Sequence, residues 1–437
     1  MKTKSNKKMK TKSNLNFYLL SAMFILVLGS CTKDPETLIE TVLVTETVTV
    51  TTTIPTTTPT TEKVGSGGIS FIDDTQTWTN DRIWIMDGKI VVRKGATLNI
   101  EPGTIIKSQN GQGVDATALV IAPGGTINAA GTSDAPIIFT DIDDNIDYGD
   151  GIVSPNRVPT DTGKWGGIII LGNAVIGQDG GTDDIEGIAS GYDWTTYGGN
   201  DNTDSSGTFT FVSIRHSGSQ LAGGDEIQGL TLGGVGSGTT INDIEVVGSN
   251  DDGIEIFGGS VSITNIVIFA QRDDALDLDQ AYRGTLTNAV VAMRSNSDTP
   301  FEIDGTEDGT GTITGAFTIN NVTVYGDAAP ESGKNNLGDW KKAATGLTNN
   351  VVYKNIDGLS IKRIDAATYN GQASAASTGN LNFNNFYFVT SGTLADIFAK
   401  TSVTDYADWA EVISEQPANT GADESTFSWT LWSSINN

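Results

Sequence analysis

From Ile69 onward the chain repeats one short pattern: an apolar residue, a polar or small residue, then a second apolar residue, set between turns rich in Gly, Asn and Asp. The triplets are Leu98-Asn99-Ile100, Leu119-Val120-Ile121, Ile168-Ile169-Ile170, Leu230-Thr231-Leu232, Ile254-Glu255-Ile256, Leu276-Asp277-Leu278, Phe301-Glu302-Ile303 and Leu359-Ser360-Ile361. In a strand the outer two members of each triplet point one way and the middle one the other. The steps from Leu230 to Ile254, Leu276 and Phe301 are 24, 22 and 25 residues. A sandwich would turn every ~8–12 residues without such a register. Repetition at this longer period predicts a solenoid whose coils each bury a face on the next. Second strands recur at 241–246, 261–266, 284–289 and 319–324, with Asn242, Asn265, Asn288 and Asn321 near one corner. Stacked amides there would pair from coil to coil and support bent backbone. The pattern therefore predicts an all-β protein, a right-handed parallel β-helix over 69–392, its hand taken from the general rule for parallel crossovers. Stretches 141–164 and 178–207 are rich in Asp, Gly, Asn and Tyr and read as loops projecting from it. Residues 393–413 carry a helical pattern, and the Phe427, Trp429, Leu431, Trp432 run reads as a last strand. Together, 393–437 form the expected small helical and strand C-terminal cap, since a solenoid must protect its ends.

The first 68 residues follow other rules. Residues 1–30 hold six lysines, no acid, and an apolar run from Phe17 to Leu28. A basic head before about 12 apolar residues reads as a secretory signal, too short for a comfortable membrane span. The run ends in Leu28-Gly29-Ser30-Cys31, which resembles the bacterial lipobox, and Cys31 is the only cysteine in the chain. An acylated Cys31 would anchor the protein in a membrane through several buried chains. Lys33, Asp34 and Glu36 resemble the acidic export signal of Bacteroidota surface lipoproteins and imply the outer face of the outer membrane. Between Thr41 and Thr61, 12 of 21 residues are Thr, so 31–68 is expected to be an acylated Cys followed by an extended tether.

Composition removes whole classes of function. The chain has 437 residues, 26 Lys+Arg against 53 Asp+Glu, and a formal charge of −27. Loss of the signal would take six positive charges with it and bring the charge to −33. A field of that sign repels phosphate, so no nucleic-acid partner is expected. One Cys and one His exclude an intrachain disulfide, a Cys-based zinc site and every multi-His metal centre. With 52 glycines, a mostly helical chain is excluded too.

Longer motifs then carry a resemblance. They are Lys164-Trp165-Gly166-Gly167-Ile168, Leu171-Gly172-Asn173-Ala174, and Val212-Ser213-Ile214-Arg215-His216-Ser217-Gly218 followed by 226–236. Asp251-Asp252-Gly253-Ile254-Glu255-Ile256-Phe257-Gly258-Gly259 and the Phe427-Ser428-Trp429 ending complete the set. The chain resembles Bacteroidota surface lipoproteins with a pectin-lyase-like β-helix, a family usually without assigned activity. The resemblance implies the fold and supplies no functional residue.

Chemistry is concentrated where coils 251–257, 273–279 and 298–304 are laid on one another. Glu255, Asp277 and Glu302 then fall in one outward row, and Asp279 and Asp304 in its neighbour. Stacked strands lie about 4.8 Å apart. Two like charges near 5 Å repel by roughly 1 kcal/mol in water and ~3 kcal/mol at an effective dielectric of 20. An exposed row is tolerable; a shielded one needs a cation or a retained proton. Three readings follow: a solvated acidic face, a calcium site on Glu255, Asp277, Asp279, Glu302 and Asp304, or a catalytic carboxylate set. Polygalacturonase-like enzymes on this fold use clustered Asp residues as acid and base, which implies Asp251, Asp252, Asp273, Asp274 and Asp277, with Asp252, Asp274 and Asp277 foremost. A lyase would instead use Arg272, Arg283, Lys362 or Arg363 as base. Tyr192, Trp194 and Tyr197, in a Gly/Asp loop, could stack on sugar rings, whereas Trp165 and His216 read as packed residues. The expected function is a surface-anchored β-helix that binds an extracellular ligand, a glycan first, with calcium ordering the acidic rungs. The alternatives are a polysaccharide hydrolase or lyase and a structural or adhesive component.

Overall fold

A computed structural model describes residues 60–220, 226–306 and 315–436. The expected signal over 1–30, the expected acylation site Cys31 and the expected tether up to Pro59 lie outside the described residues. Among the described residues, 24 strands join in one sheet that winds into a parallel β-helix. The register on its first face runs Ile90, Leu119, Ile168, Leu230, Ile254, Leu276 and Phe301, each the Cα partner of the next. All of them are buried, so one column of side chains fills one wall of the interior.

The second and third faces are two halves of the same long strands, such as Thr240–Val247, Ile263–Phe269 and Thr285–Ala292. Each bends at a single residue with left-handed φ: Phe211, Asp243, Asn265, Asn288, Asn321, Asn350 and Asn385 all lie between 50° and 62°. Asn tolerates that conformation, and its amide closes the corner locally. Asn265 Nδ2 donates to Asp243 Oδ1 at 2.9 Å, Asn288 to Asn265 at 2.7 Å, and Asn350 to Asn321 at 2.7 Å. Asn242 does not stand at this corner: it pairs with Thr264 one position earlier, and Asp243 takes the bend. Two of the eight triplets also sit elsewhere. Leu98-Asn99-Ile100 belongs to the second face, paired with 127–129, and Leu359-Ser360-Ile361 precedes the strand Arg363–Ile364. Period-two alternation marks every half-buried strand, so it cannot say which face a triplet joins.

Asn288 is also where the C-terminal segment docks. Its Oδ1 accepts from Asp423 N at 2.6 Å and its Nδ2 reaches Thr426 Oγ1 at 3.0 Å. Asn288→Ala loses these bonds and keeps a strained φ, so a loss of about 1–3 kcal/mol is expected from urea unfolding. Asn288→Gly loses only the bonds and should fall between that variant and the parent.

Both ends differ from expectation. The first strand opens at Thr60 and pairs with Arg82, so the folded part begins inside the stretch assigned to the tether. In the cap, the helical pattern over 393–413 yields only the short helix Leu394–Ile397, capped by Thr393, followed by the strand Ala410–Ile413. That strand adds to the sheet beside Leu381–Val389, because Phe398, Val403 and Trp409 fill the open end of the interior and leave no room for a longer helix. The expected last strand is instead the 3-10 turn Glu424–Phe427 and the helix Leu431–Asn436. This segment runs back along the outside of the third face, where Phe427 and Trp432 pack on Val267, Val290 and Ala292.

Candidate functional site

The outward column of the first face is the feature that organises the site. By register it runs Phe71, Val91, Val120, Ile169, Thr231, Glu255, Asp277, Glu302, Asp339 and Arg363. Its first four members are apolar, and Glu255, Asp277, Glu302 and Asp339 after Thr231 are acidic. The insertion after Leu171 carries a small antiparallel hairpin, Thr182–Asp184 with Thr196–Gly198. It lays Ile176, Ile185, Ile188, Trp194 and Tyr197 onto Val91, Val120, Ile169 and Leu171, forming a second core outside the solenoid. Where the apolar column stops, the insertion ends in polar contacts with the acids. Gln228 Nε2 donates to Glu186 Oε1 at 3.0 Å and to Glu255 Oε2 at 2.5 Å. Gln280 Nε2 donates to Asp183 Oδ2 at 3.1 Å.

The acids therefore form a shielded row beside the insertion, an acidic trough in the sense of its burial, and not an open face. Asp251, Asp252, Glu255, Asp274 and Asp304 are buried, and Asp277 and Glu302 half-buried. Asp252, Glu255 and Asp277 each bring one carboxylate oxygen within 4.8 Å of the other two, and Asp251, Asp252 and Asp273 form a second such set. Asp273, Asp274 and Asp298 form a third. Asp274 Oδ1 accepts from both Thr299 N and Thr299 Oγ1 at 2.6 Å, and Asp252 Oδ1 accepts from Asp274 N at 2.8 Å. Asp277 Oδ1 is buried and has no hydrogen-bond partner. Thr231, only 2% exposed and next to Glu255 in the column, likewise has an unpartnered Oγ1.

Among the described residues Lys334 reaches Asp273 at 3.5 Å, and the remaining positive charge gathers at the far end of the trough. Lys341 pairs with Glu302 and lies 3.5 Å from Asp304, and Lys342 lies 2.8 Å from Asp304. Lys362 reaches Asp298 at 3.1 Å and Asp339 at 3.3 Å, and Arg363 forks onto Asp339 at 2.7 and 2.9 Å. Among the described residues no Lys or Arg nitrogen forms a salt bridge with Asp252, Glu255 or Asp277. Burial pushes these three carboxyls well above the ordinary carboxylate range, and the neighbouring carboxylates add to it. Burial, then Glu226 and Asp273, moves Asp251 up to about 8, and burial with Asp273 moves Asp274 up to about 7. Such a set holds protons or a cation, because bare charge is too costly there.

These acids offer hard oxygen donors of the kind a divalent cation takes. Oxygen ligands at ~2.3–2.6 Å from Ca²⁺ lie at most about 5 Å from one another. Asp252, Glu255 and Asp277 meet that limit, and the orphaned Asp277 and Thr231 oxygens supply unspent lone pairs beside them.

Most of the acids named from the sequence meet here, with Glu255, Asp277 and Glu302 in one column as spaced. Asp304 is instead occupied by Lys341 and Lys342, so it belongs to the basic end. Asp279 is the Cα partner of Phe257, in the neighbouring column. Asp339 and Thr231 continue the row and were not expected in it. Asp339 lies in a two-residue strand with Trp340 that no pattern exposes, whereas Thr231 was visible as the middle of its triplet.

Several other expectations are corrected by burial. Tyr197 and Trp194 are buried: Tyr197 donates its OH to Gln280 Oε1 at 3.1 Å, and both sit in the outer core. Only Tyr192 of the three is exposed, stacked on Trp194 at 5.6 Å. Arg283 is held by Val175 O and Asn202 and Arg272 by Asn250, so neither is offered as a base in the trough. Trp165 and His216 are packed. Trp165 donates to Arg215 O, and His216 Nδ1 lies 2.9 Å from Asp161 O, with burial lowering the imidazole's proton affinity.

Comparison with known proteins adds a family to this geometry. A family model described as a pectate-lyase like beta helix domain matches residues 70–433. No curated protein and no solved structure matches the chain.

Proposed function

Because the chain belongs to the family of pectate-lyase-like beta helix domains, we propose that it is a carbohydrate-recognition β-helix whose acidic trough takes calcium. The observation that carries this reading is the Asp252, Glu255 and Asp277 set: three largely buried carboxylates with oxygens within 4.8 Å of one another, none in a salt bridge with Lys or Arg among the described residues. Calcium bound there would offset most of the set's charge and offer its open coordination positions to sugar hydroxyls or carboxylates. Lys341, Lys362 and Arg363 at the far end would set the register of a charged glycan along the trough. The signal, Cys31 and tether support a position outside the cell, with a lipid anchor in the outer membrane.

Calorimetric titration tests the reading. Calcium is expected to bind the parent chain and to bind Asp277→Asn at least tenfold more weakly, since a ligand charge is lost. Binding of acidic oligosaccharides should require the ion. Absence of calcium binding at millimolar concentration would overturn the metal site.

Polysaccharide cleavage is the second reading, and the position of Asp274 and Asp252 beside Asp277 favours it. Burial raises the proton affinity of both, and a protonated carboxyl near an ionised one would supply the acid and the base that cleavage needs. Turnover of uronic or neutral glycans, abolished by Asp277→Asn, would establish it; binding without turnover supports recognition alone, and neither would leave a structural or adhesive role.

A further inference from the structure

A second, chemically different cavity lies beside the first coils, on the other side of the insertion. Its volume is ≈ 590 Å³, within the range of about 300–1,000 Å³ typical of small-molecule sites. Its walls come from the first strand (Gly67–Ile69), from Asp87–Lys89, from the turn 114–117, and from 187–190 with Trp194 of the insertion. Seven large apolar side chains are notably exposed among the described residues, and four of them gather here. Ile69 and Val114, the latter 80% exposed, line the cavity, while Phe71 and Tyr192 flank Trp194 at 6.3 and 5.6 Å. Scattered exposed apolar residues need no explanation, but a group around one concavity does.

The polar groups define what fits. Lys89 is only 7% exposed, and its ammonium donates to Val114 O at 2.8 Å and to Ala116 O at 2.5 Å. An ammonium has three donors, so one remains. Asp87 and Asp115 also line the space, and Asp87 Oδ2 is held by Lys63 at 2.6 Å. Two carboxylates in a protein of charge −27 disfavour an anionic guest. They accept hydrogen bonds from hydroxyls, while the spare Lys89 donor answers a hydroxyl or ring oxygen. Apolar walls suit the C–H face of a ring. We propose that this cavity binds a neutral pyranose, as a site separate from the calcium trough and independent of it.

The test is saturation-transfer NMR and calorimetry on the full chain in EDTA, which silences the trough. The probes are methyl β-glucopyranoside, methyl β-galactopyranoside, methyl α-mannopyranoside and galacturonate. At least one neutral glycoside is expected to bind at a single site, and galacturonate is not. Lys89→Met, which removes the spare donor, and Ala189→Trp, which fills the cavity from an exposed wall position, should each weaken binding by about tenfold or more. If Lys89→Met does not fold, Ala189→Trp decides alone. No neutral glycoside binding, unchanged affinity in the folded variants, or preference for galacturonate would each overturn the proposal.

Discussion

In chelator at pH 8, Asp277→Asn is expected to melt at a higher temperature than the parent, and in excess calcium the order is expected to reverse. The first half follows from the trough's acids. Their folded-state proton affinities are raised, chiefly by burial and then by one another, with Asp274 at about 7, Asp251 at about 8 and Asp252, Glu255 and Asp277 well above the ordinary range. Below about pH 4 these carboxyls are protonated in both folded and unfolded chains, and their contribution to stability is intact. As pH rises the unfolded chain ionises first, so stability falls until the folded groups ionise as well. At pH 8 the metal-free parent therefore already bears a loss at each of these groups. The Asp277→Asn change removes one carboxyl from the centre of the set and so lightens it. Calcium reverses the sign, since binding to the folded state alone stabilises by about 2.7 kcal/mol at 100 times Kd, and the variant has lost a ligand. Thermal melts at pH 5 and 8, each with chelator and with calcium, check both halves. A parent melting temperature that stays flat from pH 5 to 8 in chelator, or a variant that melts lower in both solutions, would falsify the assignment of an uncompensated carboxylate set.

How much of this was legible depends on whether the information is periodic. The 24-, 22- and 25-residue steps from Leu230 to Phe301 contain the coil length, and Glu255, Asp277 and Glu302 inherit their alignment from it. Nothing periodic reports where an insertion lies. Tyr197 and Trp194 sit in a Gly- and Asp-rich loop that reads as solvent-facing, yet Ile176, Ile185 and Ile188 bind that loop to the sheet and bury both rings. The same docking turns an acidic row into a shielded one, so the local sequence of the acids could not separate a solvated face from a site. At the C-terminus local propensity and tertiary demand conflict. The 393–413 segment has helical spacing, but Trp409 and Phe398 are needed to close the interior, and the strand Ala410–Ile413 extends the sheet. Phe427 to Trp432 alternates like a strand, yet no free sheet edge remains for it on the face it covers.

That returning segment sets the second large expectation: Trp432→Ala and Glu245→Ala should each destabilise the protein by about 3–5 kcal/mol, and together by clearly less than the two combined. Glu245 and Arg215 are both fully buried and 4.0 Å apart, too far for a good ion pair by themselves. Ser213 bridges them, accepting from Arg215 Nε at 2.9 Å and donating to Glu245 Oε2 at 2.6 Å. Arg215 also donates to Ile152 O at 2.7 Å, and the other Glu245 oxygen accepts from Trp432 N at 2.9 Å. The C-terminal segment thus completes the shell around a charge pair that lies under it, while the Trp432 ring seals Val267, Val290 and Ala292 from water. Removing the ring lets water reach the pair; removing Glu245 takes away the larger of Arg215's two counter-charges, leaving only Asp144, and burial already lowers that guanidinium's proton affinity. Once either change has loosened the segment, the other has less left to disrupt, which is why the costs should not add. Urea unfolding of the two single variants and the double variant measures the coupling directly. Additive losses would mean that the segment docks through its apolar residues alone and that the Glu245 contact to Trp432 N contributes nothing to holding it.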